Sequence, residues 1–195
     1  MGRPKLANAI DTKSELLNAG LILLQTKGYG AFTFQDLADQ LKIKRESIHY
    51  HYPTKEALGI KIAKHAMKGF QHWIDALDKK LSPIKRLEAY FALFVVVSND
   101  GTRICPCSAL LADWGILSPK LRAATSKLVN MHKCWMRDNL VLGRRAGVIK
   151  TTESVDNQVQ FIFASMVGGI QSTRAEGDIR LLKAIMRQAF ATLKV

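Results

Sequence analysis

No part of this 195-residue chain approaches the ~20 consecutive apolar residues that a bilayer-spanning helix needs; the longest runs, Phe91 to Val97 and Phe161 to Ile170, fall far short. A membrane partner is therefore not expected. The opening Met1-Gly2-Arg3-Pro4-Lys5 has no apolar core and no small-residue cleavage site, so it reads as neither a signal nor a transit peptide, and the cytoplasm is the expected location. Cysteine is scarce and odd in number, at three, which makes no disulfide framework. Cys105-Pro106-Cys107 leaves one intervening residue where zinc sites typically use about two to four, so no metal or other cofactor is expected. Gly-rich phosphate loops are missing as well. Strand signals are nearly absent, because no β-branched run alternates with polar residues between turn dipeptides. Acidic residues are the last shortage: 16 Asp and Glu face 29 Lys and Arg, a net charge of +13 that favours an anionic partner.

What the chain does contain is apolar residues at helical spacing, 48% of the total, enough to bury a core. The fold class is all-α, with about nine helices placed by their capping chemistry. Thr12-x-x-Glu15 reads as a capping box, Thr33-x-x-Asp36 as a shorter relative, and Ser82-Pro83 and Ser118-Pro119 as N-cap followed by proline at N1. Asp178 is the expected cap of the last helix. Stops fall at Gly28, near Asn99-Asp100-Gly101, around Gly143 to Gly147, and before Gly177.

The first 52 residues predict helices of roughly 15, 8 and 7 residues, the last two joined by the tight turn Lys42-Ile43-Lys44, which is helix-turn-helix spacing. Ile43, Ile48 and Tyr52 anchor the second short helix, leaving Lys44, Arg45, Glu46, Ser47, His49, Tyr50 and His51 on an outer face suited to a major groove. The segment from Leu37 to Leu58, with its aromatic-rich second helix Ser47-Ile48-His49-Tyr50-His51-Tyr52 and the following Lys55-Glu56, closely resembles the DNA-binding domain of the TetR/AcrR family of transcriptional regulators. The resemblance implies an N-terminal three-helix helix-turn-helix domain over residues 1–53. It also implies a C-terminal helical domain for effector binding and dimerisation over residues 54–195.

On that reading Arg45 is the expected guanine reader and His49 a second base contact. Ser47, Tyr50, His51, Lys44 and Lys55 suit phosphate oxygens, while Thr33 and Gln35 stand near a phosphate and a base edge. Arg3 and Lys5 form a short basic arm. His49 replaces the tyrosine commoner in relatives. Glu46 occupies a position usually small, and either accepts from cytosine or is repelled by phosphates. The expected partners are a palindromic double-stranded operator, a small-molecule effector and a second copy of the chain, the output being repression.

The C-terminal part holds most of the large apolar side chains. Phe70, Trp73, Phe94, Trp114, Met131 and Trp135 are candidates either for plain core or for an effector pocket. Cys105 and Cys107, in a turn before a helix and near Arg103, resemble the cysteine-containing turn of one branch of the family. They stand open between two roles: sensing an electrophile or oxidant through a thiolate, and packing. Cys134, beside Trp135, reads as core. Phe161, Ser165, Gly168 and Gly169, with Ile185 and Phe190 of the last helix, make an apolar, small-residue surface for a partner subunit.

Two other functions compete: a constitutive architectural DNA-binding protein without effector, and an enzyme using Cys105 or Cys107 with His132 as base. For the enzyme no orienting third residue is evident. Charge alone does not decide among these. Residues 1–68 hold 11 basic and 6 acidic residues, a net +5, so +8 lies outside the reading head.

Overall fold

The computed structural model describes residues 5–149 and 153–193, and for residues 5–11 and 100 the backbone alone. Nine α-helices and two 3-10 turns make up the described residues, which contain no strand. They are α1 (Lys5–Lys27), α2 (Phe34–Leu41), α3 (Arg45–His51), α4 (Lys55–Ala76), α5 (Pro83–Val97), α6 (Pro106–Ala112), α7 (Pro119–Arg145), α8 (Val155–Glu176) and α9 (Ile179–Ala191). The 3-10 turns span Asn99–Gly101 and Trp114–Ile116. No helix among the described residues is long and apolar enough to cross a membrane.

Local capping chemistry sets most helix starts. Thr33 and Asp36 exchange side-chain and backbone bonds in a full capping box at the head of α2. Ser82, Ser118 and Ser154 each accept from the third helical amide of α5, α7 and α8. Asp178 caps α9 through the Arg180 amide at 2.9 Å. The expected box at Thr12-x-x-Glu15 is not a helix start, because α1 already runs from Lys5. No breaker stands between Lys5 and Thr12, so an i, i+3 polar pair on a helical face imitates a cap there. The stop expected around Gly143 to Gly147 falls within that range, at the C-cap Ala146. Gly143 lies inside α7, where a Cβ would sit 2.4 Å from Ile149 Cδ1, so the glycine admits the returning chain and the helix ends at Ala146.

α1, α2 and α3 pack together at one end, and α4 leads from them against α1 and along α7. α5 lies on α7 and α9, and α8 makes its most extensive contact with α9. Short α6 bridges α1, α4, α7 and α8. From Phe161 to Ile170, α8 is covered on one side only: Ile162, Phe163, Met166, Gly169 and Ile170 are buried, whereas Phe161 is 51% exposed and Ala164 and Gly168 are open. Two residues expected on the outer surface are turned inward. Phe190 is buried edge-to-face on Phe91, and the Cβ position of Gly169 is filled by Ile185 and Leu182 of the same chain.

Candidate functional site

The outer face of α3 is built by two anchors. Ile48 is fully buried, and Tyr52 is buried with its hydroxyl donating to the Lys13 carbonyl at 3.3 Å. With those positions facing inward, helical periodicity leaves Lys44, Arg45, Glu46, Ser47, His49 and Tyr50 exposed, Tyr50 at 82%. Lys42 takes the left-handed conformation (φ 52°) that turns α2 into α3, and its amide and that of Ile43 both donate to the Ala38 carbonyl. Lys44 is the N-cap of α3 and supplies no side-chain cap, so its ammonium stays free for another partner.

Several of these side chains are held in place. His49 packs its ring on Phe34 (centroids 5.1 Å) and sets Nδ1 3.2 Å from the Pro53 carbonyl. A carbonyl only accepts, so Nδ1 carries the hydrogen, which leaves Nε2 as the acceptor in the neutral form of the ring. Half-buried His51 lies edge-to-face with Tyr50 at 5.0 Å. Gln35 donates to Asp39 at 2.7 Å, and the Thr33 hydroxyl is engaged by Asp36. Lys27 pairs with Asp36, and that ammonium, with the Thr33 hydrogen bonds, holds the Asp36 carboxyl well below the usual carboxylate range. Lys55 departs from the expected phosphate contact. Its ammonium lies over the rings of Tyr29 and Phe32 at 4.8 and 4.6 Å and reaches the Gly30 carbonyl, and burial lowers its pKa. Arg3 lies outside the described residues, as does the side chain of Lys5.

A cavity of about 240 Å³ opens between α1, α4, α5, the start of α6 and α7. Phe70, Trp73, Phe94, Cys105 and Cys107 line it, as the sequence suggests. Trp135 stands one layer back against Trp73 and Tyr90 (5.3 and 5.1 Å), and Met131 packs on the core without reaching the cavity. Trp114 is remote from it: it sits on a surface 3-10 turn beneath the Arg122 guanidinium, 5.7 Å away. Sequence reasoning missed Leu21 and Gln25 of α1 as wall residues, and gave His132 only a speculative role as a base. The signal for His132 is a lone histidine within the buried stripe Leu128, Met136 and Leu140 of α7.

His132 is the polar centre of this wall. Its Nδ1 lies 3.0 Å from the hydroxyl of fully buried Tyr90, and Phe70 stacks on its ring at 3.9 Å. Burial lowers its pKa to about 4 and raises that of Tyr90 well above the ordinary phenol value.

The thiolate expectation for Cys105 and Cys107 does not hold. Cys105 does cap α6, its Sγ accepting from the Ser108 amide at 3.3 Å, but both residues are only 3% exposed and burial raises both thiol pKa values. Desolvation outweighs the helix terminus, so both remain neutral thiols. Cys134 is exposed rather than core, because it falls opposite the His132–Met136 stripe.

Comparison with known proteins places this geometry. Residues 16–60 match the family model described as bacterial regulatory proteins, tetR family. The chain is 25% identical over 187 residues to the transcriptional regulator AcuR of Cereibacter sphaeroides, spanning 90% of this chain and 82% of that protein. It is 27% identical over 98 residues to the transcriptional repressor KstR2 of Mycobacterium tuberculosis, 47% of each chain. Among solved structures, a TetR-family regulator from Agrobacterium tumefaciens superposes with a TM-score of 0.91 at 24% identity, over 96% of this chain and all of that one. A TetR regulator from Legionella pneumophila superposes with 0.83 at 25% identity, over 94% and 97%. Its N-terminal module, residues 16–60, is thus a TetR-type helix-turn-helix, and over most of its length the chain is similar to transcriptional regulators of the TetR/AcrR family, DNA-binding proteins without enzymatic chemistry.

Proposed function

We propose that the protein is a homodimeric repressor of the cytoplasm that holds a palindromic operator and releases it when a small molecule enters the cavity. Residues 1–53 are its DNA-binding domain and residues 54–195 its effector-binding and dimerisation domain. Arg45 reads guanine, and His49, presenting Nε2 as an acceptor, meets a cytosine or adenine amino group. Lys44, Ser47, Tyr50 and His51 hold phosphates, with Thr33 and Gln35 beside them. Lys55 supports the module from within. Exposed Phe161, Ala164 and Gly168, with Ser165 alongside, support a second copy packing on α8, and two-fold symmetry matches a palindrome.

One observation carries the release step. Leu21 and Gln25 of α1 line the cavity, while the end of that helix is gripped by the effector-side elements. Ile104 donates its amide to the Gln25 carbonyl at 3.1 Å, Arg174 donates to the Thr26 carbonyl, and Asp113 accepts from the Gly30 amide. A molecule that shifts the cavity wall therefore shifts the reading head, which is the differential contact that coupling requires. The neutral thiols support reversible binding by shape rather than thiolate capture. Selection of operators from random DNA with the full chain tests the proposal. A two-fold symmetric motif whose affinity falls steeply with salt is expected; an asymmetric site bound by one chain, or a flat salt dependence, would overturn it.

A further inference from the structure

We infer that His132 is the specificity-determining group of the cavity, a fixed Nε2–H donor that selects a small, flat, uncharged molecule bearing a hydrogen-bond acceptor such as a carbonyl oxygen. This rests on the cavity being an effector site, as proposed above. The argument begins with a proton. Tyr90 is fully buried, and the only hydrogen-bond partner of its hydroxyl among the described residues is His132 Nδ1 at 3.0 Å. A buried hydroxyl keeps a donor role where an acceptor is available, so Tyr90 donates to Nδ1. A neutral imidazole whose Nδ1 accepts carries its hydrogen on Nε2.

The free N–H is the one the cavity meets. Tyr90 stands behind the cavity wall and takes the Nδ1 edge of the ring, while His132 itself lines the cavity. Nε2 has no protein partner among the described residues, yet it keeps accessible surface, unlike the sealed Asn139 Oδ1 and Thr173 Oγ1. Phe70, stacked on the ring at 3.9 Å, and Phe94, edge-on at 5.9 Å, hold its orientation.

The rest of the wall sets the class of ligand. No Asp, Glu, Lys or Arg lines the cavity and its second imidazole, His65, is exposed to solvent, so an ion held beside His132 would lose hydration without a buried counter-charge. Gln25 is the other buried polar side chain, but an amide offers either a donor or an acceptor and so discriminates little. The locked imidazole offers only its donor. Phe70, Trp73 and Phe94 supply faces and edges for a planar body, and about 240 Å³ lies below the ~300–1,000 Å³ of drug-sized sites.

The test uses three probes of one shape on the full-length protein: acetophenone, ethylbenzene and benzoate, followed by tryptophan fluorescence and calorimetry. Acetophenone binds roughly tenfold more tightly than ethylbenzene, and benzoate binds worst. In His132→Phe the preference for acetophenone vanishes while ethylbenzene still binds; Tyr90→Phe, which unlocks the tautomer, reduces it. Nitrogen-15 spectra of the wild-type protein show His132 protonated on Nε2 and bare on Nδ1, a readout that needs no variant to fold. Equal binding of acetophenone and ethylbenzene, a preference surviving in His132→Phe, or an Nδ1–H tautomer would overturn the inference and leave the effector site standing. Failure of all three probes to bind would overturn the effector-site reading with it.

Discussion

Asp113 Oδ2 accepts a hydrogen bond from the Gly30 amide at 3.0 Å, joining residues 83 positions apart. Asp113 follows the last turn of α6, whose first residues wall the cavity, and Gly30 lies in the turn that delivers the chain to α2. Replacing Asp113 by alanine removes a charge-assisted contact at a partly exposed site, and stability falls by about 1 kcal/mol. Its larger effect is on release: the change in operator affinity produced by a saturating cavity ligand shrinks, while ligand affinity without DNA holds. Unaltered release in the variant would show that Asp113 transmits nothing.

Arg45→Ala and Lys44→Ala separate reading from holding. The first lowers affinity for the selected operator by ~1–3 kcal/mol and relaxes preference at one base position. Lys44→Ala weakens specific and random DNA alike and lowers the salt slope by about one. Competition binding at several salt concentrations distinguishes them, and equal losses for Arg45→Ala on both DNAs would remove it as a base reader.

Gly143→Ala places a methyl where Ile149 Cδ1 and Cγ1 lie at 2.4 and 2.7 Å. Overpacking of this kind costs about 1–3 kcal/mol. Trimming the partner in Gly143→Ala with Ile149→Ala recovers part of the loss, which thermal denaturation of the two single variants and the pair measures as a coupling energy. Strictly additive losses would argue against the contact.

Acid lowers stability through His132. Its folded pKa of about 4 lies below the unfolded value of 6.5, so between those limits the unfolded chain binds a proton that the native one refuses. Stability therefore rises with pH across this window; at pH 7 the group adds no penalty, and near pH 4 the penalty approaches ~3 kcal/mol. No carboxylate lines the cavity to offset it. Unfolding of wild type and His132→Phe from pH 7 to 4.5 checks this: the variant loses less, and parallel curves would contradict the buried neutral ring.

Thiol reactivity follows burial. In the native protein Cys134 is modified rapidly by iodoacetamide, whereas Cys105 and Cys107 react at the rate of opening, and all three react in denaturant. Fast labelling of Cys105 in the native state would restore a sensing role.

Local signals were legible in the sequence and distant ones were not. Thr33, Ser82, Ser118 and Asp178 could be placed because a cap is decided within three residues, and Ile48 and Tyr52 because an anchor repeats at helical spacing. The misplaced cap at Thr12 and the misread Cys105 share a cause: whether a helix extends upstream, or a sulfur is desolvated, depends on chain that lies elsewhere. Tyr90 and His132 meet across 42 residues and two helices, so nothing near either one announces the pair. Trp114 and Trp73 look alike in sequence, and only packing separates a surface turn from a cavity wall.

Because Leu21 and Gln25 belong to the first helix of the reading head, the proposed operator and effector would compete for the posture of a single rod. Thermodynamic reciprocity then applies: whatever factor the small molecule takes from operator affinity, the operator takes from affinity for the small molecule. Under the proposed function, a dimer seated on its operator would be harder to fill than one free in solution. Sensitivity in the cell would thus be set by how many operator copies and non-specific sites share the protein as well as by the chemistry of the cavity.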